Sequence, residues 1–475
     1  MLAGLSKRIF VAAVSLGMAA GISGCASAAE KVEVDLIVSG AYVITMDEAR
    51  PVIANGAVAI DEGVILAVGA QSDIAAGYSA AREIDGANRA LLPGLINGHG
   101  HAAMVLFRGM ADDLDLMTWL QNYIFPMEGR FVDPEFVRIG VQLACWEMIR
   151  GGTTTFVDMY FYPEVSSAVV EECGLRAIIG APSIDFPSPG FKGWEDSFAA
   201  SIDYVKRWTG RNSRITPAFA PHSAYTITPD HLTQLLASAR ELDAPVLTHI
   251  AEDKSELPIL QERYGKTPVV HFADMGFLDH KLIAAHMVWP SPDEISMLAR
   301  DGVGAIHNPT SNMKTAAGIS PVPELLAAGV HVGLGTDGAA SNNNLDMWGE
   351  IRLAALIHKG FRGDATVMPA PVVLRMATAG GAKAIGLGDT IGALVPGLRA
   401  DMIQVSLESP GLAPLYDIIS HLVYVVNSRD VVTTIVDGRI LMQDGEVLTL
   451  DAATVRAAAM EKGREMSASM QKAAR

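Results

Sequence analysis

Two histidines separated by one residue, His99 and His101, are the feature of this sequence that bears most directly on chemistry. Residues i and i+2 of a β-strand point to the same face, so the two imidazoles can aim at one point. A third histidine, His249, and a carboxylate, Asp337, follow at the ends of later apolar segments. Three neutral imidazoles and one carboxylate, with water as a further ligand, suit zinc best and also suit iron. We therefore expect one divalent metal ion bound by these four side chains.

The sequence also places proton-carrying groups where they could serve such a metal centre. A bound divalent cation lowers the pKa of water toward neutrality and so provides hydroxide at working pH. Glu252 lies three residues after His249, where it could carry a proton between hydroxide and a substrate nitrogen. His286 is a candidate to orient the attacking hydroxide, and Asp337 could accept the proton of the water. We expect hydrolysis, with Glu252, His286 and Asp337 as the catalytic residues.

The middle of the chain has the pattern of a scaffold that could bring these distant residues together. Short apolar runs alternate with helical stretches, which predicts repeated β/α units and a parallel (β/α)8 barrel. Histidines or aspartates stand at the carboxyl ends of most runs, the face at which such barrels carry their active sites. The eight runs are residues 95–97, 154–158, 176–181, 215–220, 245–248, 282–286, 302–307 and 330–335.

Both ends of the chain carry strand-like segments with tight turns, at residues 35–46 and 57–68 and again at 401–407 and 431–450. We expect them to form one small composite β-sandwich domain. The predicted domains are a signal segment (residues 1–28), the first part of the sandwich (30–91), the barrel (92–392), the second part of the sandwich (393–450) and a C-terminal helix (451–475).

The first 28 residues have the order of an export signal, with Lys7 and Arg8 followed by an apolar run and then by small residues. Residues 22–25 resemble a bacterial lipoprotein cleavage box that ends in Cys25, whereas residues 26–28 suit an ordinary signal peptidase. Both processing routes stay open. We expect an exported protein of the periplasm or cell envelope, which the first route would anchor in the membrane through a lipidated Cys25.

The net charge limits the classes of partner, and the cysteines limit the disulfides that the chain could form. The formal net charge is −17 at pH 7, which argues against nucleic acid and anionic membrane surfaces. Apart from Cys25, the chain has two cysteines, Cys145 and Cys173. Either could be a buried small hydrophobic residue, and nothing in the sequence alone supports a disulfide between them in an oxidising envelope.

The segments around the predicted metal ligands are similar to motifs of the amidohydrolase superfamily. More narrowly, the chain resembles the 5′-methylthioadenosine/S-adenosylhomocysteine deaminase branch, which also includes triazine chlorohydrolase-like enzymes. The resemblance implies a β/α barrel with a composite β-sandwich, one zinc or iron ion, and removal of ammonia from an aromatic ring. The matching segments are Pro93-Gly94-Leu95-Ile96-Asn97-Gly98-His99-Gly100-His101, Thr248-His249-Ile250-Ala251-Glu252, Ala285-His286 and Gly335-Thr336-Asp337-Gly338.

The resemblance assigns the same roles to the metal ligands, the glutamate and the fourth histidine, and it adds three substrate contacts. Glu128 matches a position that holds ribose hydroxyls, although it could equally be a solvated carboxylate at a helix start. His222 matches a purine-contacting histidine. Arg176 matches an arginine near the substrate tail, although it could equally be structural.

Two absences in the sequence refine the expectation. Strand four ends without the lysine that bridges two metals in binuclear barrels, which favours a single metal. The segment after strand three, residues 183–189, offers no arginine for a substrate carboxylate. This absence disfavours S-adenosylhomocysteine relative to methylthioadenosine or adenosine.

We therefore expect a metal-dependent hydrolytic deaminase that acts on an aminated purine nucleoside or a related amino-heterocycle. Metal-bound hydroxide would attack the ring carbon, and Glu252 would protonate the adjacent ring nitrogen. The alternatives are hydrolytic dechlorination or amide hydrolysis on the same metal site, and a non-catalytic exported binding protein. Barrels of this type often pair, so the protein could form a homo-oligomer.

Overall fold

The computed structural model describes residues 31–473, and the predicted export segment with its cysteine lies outside them. The described strands form two sheets of different kinds, one parallel and one mixed. The strands are β1 (Val32–Ile44), β2 (Val52–Asp61), β3 (Val64–Ala70), β4 (Tyr78–Ile84), β5 (Arg89–Pro93), β6 (Leu95–Gly100), β7 (Thr153–Met159), β8 (Arg176–Ser183), β9 (Ile215–Pro221), β10 (Val246–Ile250), β11 (Leu282–His286), β12 (Gly304–His307), β13 (His331–Leu334), β14 (Met402–Ser406), β15 (Val431–Val436), β16 (Arg439–Gln443) and β17 (Glu446–Val447).

Most of the helices lie between the strands of the parallel sheet. Several begin at a side chain that accepts a backbone N–H, as Asp133 does for Phe136 at 2.7 Å. The helices are α1 (Gln71–Gly77), α2 (Leu116–Trp119), α3 (Phe125–Phe131), α4 (Pro134–Gly151), α5 (Pro163–Cys173), α6 (Trp194–Trp208), α7 (Pro229–Glu241), α8 (Glu256–Tyr264), α9 (Pro268–Asp274), α10 (Pro292–Asp301), α11 (Pro309–Lys314), α12 (Val322–Ala328), α13 (Met347–Arg362), α14 (Ala370–Met376), α15 (Ala379–Ala384), α16 (Ile418–Tyr424) and α17 (Ala452–Ala473).

The parallel sheet is a nearly closed barrel of eight strands, β6 to β13, that pair in chain order. Its first and last strands approach each other at one seam, where the backbone N–H of Asp337, just after β13, donates to the carbonyl of His99 in β6 at 3.0 Å. The predicted (β/α)8 barrel is therefore confirmed. All its strands run the same way, so the residues that end them share one face.

The barrel interior is packed with apolar side chains rather than open. Nearly every strand contributes one, and together with Ala382 and Ala384 of α15 they form a continuous cluster. A solid core of this kind restricts substrate to the carboxyl ends of the strands. The strand residues are Ile96, Val157, Ile178, Ala218, Leu247, Ile283 and Ile306.

The second sheet joins both ends of the chain, as expected of the composite β domain. Its nine strands are β1 to β5 and β14 to β17. The junction is an antiparallel pairing of β14 with β5, in which Met402 lies opposite Pro93. The strands form one mixed sheet, because β1 pairs antiparallel with β2 but parallel with β4 and β5. Helix α17 ends the described chain, and no helix of the described part is long and apolar enough to cross a membrane.

Candidate active site

The predicted metal ligands meet at the carboxyl face of the barrel. Oδ1 of Asp337 lies 3.4 Å from Nε2 of His99 and 3.2 Å from Nε2 of His101. Nε2 of His249, on β10, lies 3.4 Å from Nε2 of His101. The four residues come from β6 and the position directly after it, from β10 and from the loop after β13, so the barrel brings together side chains that are more than 200 residues apart in the chain.

Backbone carbonyls set the orientation of two of these imidazoles. Nδ1–H of His101 donates to the carbonyl of Met159 at 2.6 Å, and Nδ1–H of His249 donates to the carbonyl of His222 at 2.7 Å. A carbonyl can only accept, so each Nδ1 carries a proton, and the Nε2 of each imidazole presents a lone pair when the ring is neutral. Within the described chain, Nε2 of His99 is buried without a hydrogen-bond partner.

These converging donors fit a divalent cation. Lone pairs and a carboxylate at such distances repel one another unless a positive charge lies among them. The pKa values of two of the histidines also indicate that the site attracts positive charge. Burial lowers the pKa of His101, but the hydrogen bond and charge of Asp337 outweigh it and raise the pKa to about 9. Burial dominates at His99 and lowers its pKa to about 4. The donor set therefore attracts one positive charge, and nitrogen and oxygen ligands of this kind suit a divalent metal.

The carboxylate of Asp337 is fixed on both oxygens. Oδ1, which faces the histidines, accepts the backbone N–H of Gly338 at 2.7 Å. Oδ2 accepts the hydroxyls of Ser311 at 2.6 Å and Ser341 at 2.9 Å. The backbone of Asp337 has φ +64°, a left-handed conformation that a non-glycine residue rarely adopts. Strain of this kind concentrates at functional sites, where the surrounding contacts hold it in place.

Glu252 and His286 lie beside the metal-binding donors, as expected for proton-handling groups. Nε2 of His286 is 3.7 Å from Oε2 of Glu252. Burial, and then the charge of Asp337, raises the pKa of Glu252 well above its usual range, so this carboxyl can hold a proton at neutral pH. Nδ1–H of His286 donates to Oδ1 of Asn312 at 2.8 Å, which leaves Nε2 facing the site.

The bond from His286 to Asn312 predicts a positioning role for the asparagine. We expect Asn312→Ala to lower kcat by about 10- to 100-fold with metal content retained, because the imidazole loses the acceptor that fixes its orientation. Steady-state kinetics and metal analysis would check this. Met313→Ala is the control, since that side chain is on the same short helix and 49% exposed. A loss of kcat no larger than that of the control would contradict the role.

A cavity extends from these residues and is open to solvent. It has a volume of about 390 Å³ and contains Glu252, His286 and Asp337 at one end. The rest of the wall is largely apolar and aromatic. The side chains that contribute most of this apolar wall are Leu116, Trp119, Leu120, Ile124, Phe125, Phe161, Ile184 and Phe186.

Two of the three predicted substrate contacts line this cavity. His222, just after β9, has its ring 4.8 Å from that of His249, and burial lowers its pKa to about 3, so it is neutral. Glu128, on α3, is only 7% exposed, and burial raises its pKa to about 7. The hydroxyl of Tyr160, also on the wall, is buried with no hydrogen-bond partner among the described residues. The cavity therefore carries unsatisfied polar groups opposite its apolar wall.

Arg176, the third predicted substrate contact, lies elsewhere. It is the first residue of β8 and therefore sits at the amino end of the barrel, away from the cavity. Its Nε is 2.7 Å from Oδ2 of Asp401, and its Nη2 is 3.4 Å from Oδ1 of Asp437. The interpretation of Arg176 as a contact for the substrate tail is thus corrected. Its buried guanidinium joins the barrel to the mixed sheet.

This placement predicts a loss of stability without a loss of catalysis. Arg176→Met should destabilise the protein by about 3–5 kcal/mol, because it leaves the buried carboxylate of Asp401 without its partner. Activity per folded molecule should not change. Thermal unfolding and active-site-normalised kinetics would check both points. A variant that unfolds normally but has a reduced kcat/KM would restore the substrate role.

Sequence reasoning did not identify Ser311, Asn312 and Ser341, which fix Asp337 and His286. One signal was available. Ser311 and Asn312 follow His307, the residue that ends β12, and so lie at the face where the other site residues occur. A polar run at that position is a candidate for positioning the site.

Comparisons with known proteins agree with this geometry. The sequence model of the amidohydrolase family matches residues 90–441. The chain is 45% identical over 417 residues to a 5-methylthioadenosine/S-adenosylhomocysteine deaminase of Syntrophobacter fumaroxidans, covering 88% of this chain and 95% of the relative. It is 43% identical over 435 residues to a 5′-deoxyadenosine deaminase of Methanosarcina mazei, covering 91% and 99%.

A solved structure shares the whole architecture. An adenosine deaminase from Xanthomonas campestris with bound zinc superposes with a TM-score of 0.90 at 37% identity, covering 92% of this chain and 100% of that one. An atrazine chlorohydrolase from Arthrobacter aurescens has a TM-score of 0.83 at 24% identity, with 90% and 100% covered, and shows the same fold. From the length of the family match and the identity to these relatives, the chain belongs to the amidohydrolase family.

Proposed function

We propose that this protein is a metal-dependent deaminase that hydrolyses the ring amine of an adenine nucleoside and releases ammonia. The observation that carries the proposal is the convergence of four metal-binding donors with Glu252 at the end of an apolar cavity. The relatives named as deaminases, at 43–45% identity, support the same reaction. Zinc is the metal we propose, because three imidazoles and a carboxylate suit it and a deaminase of the same fold binds it.

His99, His101, His249 and Asp337 would hold the metal. A bound divalent cation lowers the pKa of water and so supplies hydroxide at neutral pH. Asp337 accepts the proton that the water loses, and its two serine donors keep the carboxylate in place. His286 orients the nucleophile through the nitrogen that faces the site.

Glu252 supplies the acid for the other half of the reaction. Burial raises the pKa of its carboxyl, which favours the protonated form that would donate to the ring nitrogen beside the amine-bearing carbon. Protonation there prevents negative charge from building up on the ring as the nucleophile adds. Asp337 then passes a proton to the departing amine, which leaves as ammonia, and the added hydroxyl group returns its proton to Glu252 as the ring carbonyl forms.

The cavity wall supports a nucleoside rather than a free base. Glu128 and the unpartnered hydroxyl of Tyr160 offer an acceptor and a donor for the ribose hydroxyls, and His222 offers a contact for the purine. Of the described residues that line the cavity, none is a lysine or an arginine. A substrate tail in the apolar part of the wall would therefore have to be uncharged. We propose adenosine, 5′-deoxyadenosine and 5′-methylthioadenosine as substrates.

This proposal predicts discrimination against a charged tail. The value of kcat/KM for S-adenosylhomocysteine should be about 10²-fold lower than for 5′-methylthioadenosine, because its carboxylate and ammonium would be desolvated without partners. Ammonia release from both nucleosides, from adenosine and from a panel of amino-heterocycles is the measurement. Values within threefold of each other would show that the tail is not buried. Absence of ammonia with every nucleoside would contradict the deaminase function itself.

The alternatives are less well supported. Glu252 would assist chloride displacement as well, since both reactions place charge on the ring, but the relatives at 43–45% identity are named deaminases, which favours deamination. A non-catalytic binding protein would be expected to lack one of the ligands or the glutamate, and all are present.

We further propose that the protein is exported to the cell envelope, from the basic, apolar and small-residue order of residues 1–28. Lipid anchoring at Cys25 and assembly into a homo-oligomer remain proposals of the same kind. Cell fractionation tests export, and labelling with a radioactive fatty acid tests lipid anchoring. Sedimentation analysis tests assembly into a homo-oligomer.

A further inference from the structure

Two buried cysteines lie in contact outside the active site. Sγ of Cys145, in α4, is 3.0 Å from Sγ of Cys173, the last residue of α5. The thiol of Cys173 donates to Cys145 across this distance, which is shorter than the separation of about 3.5–4.0 Å that even carbon atoms keep in van der Waals contact. Both side chains are fully buried, and both are free thiols in the structure.

The surroundings of the two cysteines exclude metal binding and nucleophilic catalysis, which are two common roles of cysteine. Neither residue lines the active-site cavity, and neither belongs to the histidine and acid groups that could hold a metal ion in the described chain. Burial, followed by the contact with Cys173, also raises the pKa of Cys145 well above its usual range. The folded thiol is therefore a poor nucleophile and cannot serve as a reactive group.

We propose that Cys145 and Cys173 form a structural disulfide when the protein is exported. The inference rests on the proposed export, since disulfides persist in oxidising compartments, and it does not depend on the deaminase function. Because both thiols are inaccessible in the folded chain, the bond must form before α4 and α5 have packed together.

The reaction is a thiol–disulfide exchange with a disulfide oxidant of the envelope. One cysteine thiolate attacks the oxidant, forms a mixed disulfide and displaces one oxidant thiol. The second cysteine attacks the mixed disulfide, closes the Cys145–Cys173 bond and displaces the other thiol. Two electrons and two protons pass from the cysteines to the oxidant, which leaves as a dithiol.

The bond would join the helices on either side of β7. This strand ends at Met159, whose carbonyl orients His101, so the cross-link would brace one support of the metal site. It would also close a loop between residues 145 and 173, which reduces the freedom of the unfolded chain. We expect the oxidised protein to unfold at a temperature roughly 4 °C above that of the reduced protein.

The test uses the full chain, exported from a bacterial cell by its own N-terminal segment. If that segment directs no export, a periplasmic signal peptide is placed before it. Cells are lysed in denaturant with iodoacetamide, and the peptides that contain the two cysteines are identified by mass spectrometry. The expected result is a cross-linked pair of peptides that becomes alkylated only after reduction. The same chain made in the cytoplasm, or in a strain without the periplasmic thiol oxidase, should give two alkylated peptides.

Alkylation of both cysteines in the exported protein without added reductant would overturn the proposal. The measurement of unfolding temperature has its own control, the double variant Cys145→Ala/Cys173→Ala. This variant should unfold at the same temperature whether it is exported or made in the cytoplasm. Nucleoside deamination is measured on every preparation and should be equal in the oxidised and reduced forms. Absence of activity in both forms would count against the proposed function and leave the disulfide result standing.

Discussion

Replacing Glu252 by glutamine should lower kcat for nucleoside deamination by about 10²- to 10⁴-fold while the protein keeps its full metal content. Glutamine has nearly the same shape and still fits the wall of the cavity, so neither packing nor the metal ligands change. It cannot give a proton to the ring nitrogen. Addition of the nucleophile would then place negative charge on the purine with nothing to neutralise it. The measurements are steady-state kinetics with 5′-methylthioadenosine and elemental analysis of the same sample.

A matched control separates this effect from a general loss of negative charge. Glu262→Gln makes the same change at an exposed position of α8 that does not line the cavity, and its kcat should be close to that of the parent protein. The value of KM should change little in Glu252→Gln, because the lost interaction belongs to the transition state. Full activity in Glu252→Gln would refute the role assigned to this residue.

Asp337→Asn should have a comparably large effect on turnover, but through a different route. Asparagine removes the negative charge that faces His99 and His101, so the purified variant should contain well under one metal ion per chain. It also removes the acceptor for the proton of water. We expect kcat/KM to fall by about 10³-fold or more, and excess metal in the assay should restore only part of it.

The control for this variant is Ser341→Ala, which removes one hydroxyl from Oδ2 but leaves the charge. It should keep its metal and lose no more than about 10-fold in kcat/KM. Metal content and activity thus distinguish the two carboxyl groups. Glu252→Gln loses turnover alone, whereas Asp337→Asn loses both. A metal-replete Asp337→Asn protein with more than a tenth of the parent activity would contradict the assignment.

Periodicity was enough to predict the barrel and to place the proposed metal ligands at one face of it, for a physical reason. In a parallel barrel, the ends of all strands share a face, so residues such as His249 and His286 could be placed together without knowledge of any contact. The same rule should have excluded Arg176 as a contact for the substrate. It begins its strand rather than ending it, and the resemblance to a relative's arginine outweighed that position.

The remaining features depend on how separate segments meet. The bond between Ser311 and Asp337 joins α11, which follows β12, to the loop after β13, and no local pattern shows that these two side chains come within 2.6 Å of each other. The same is true of the pairing between β5 and β14, which lie about 300 residues apart in the chain. Local sequence predicts strands, but their neighbours are decided by packing over the whole chain.

The seam of the barrel makes assembly of the active site depend on the order in which the chain is synthesised. His99 belongs to the first barrel strand and His101 directly follows it, whereas Asp337 follows the last strand and donates its backbone N–H to the carbonyl of His99. A growing polypeptide therefore has no complete reaction centre until its eighth barrel strand has emerged and docked. Under the proposed export, a chain still passing through an export channel would therefore have no complete reaction centre within the cell that makes it.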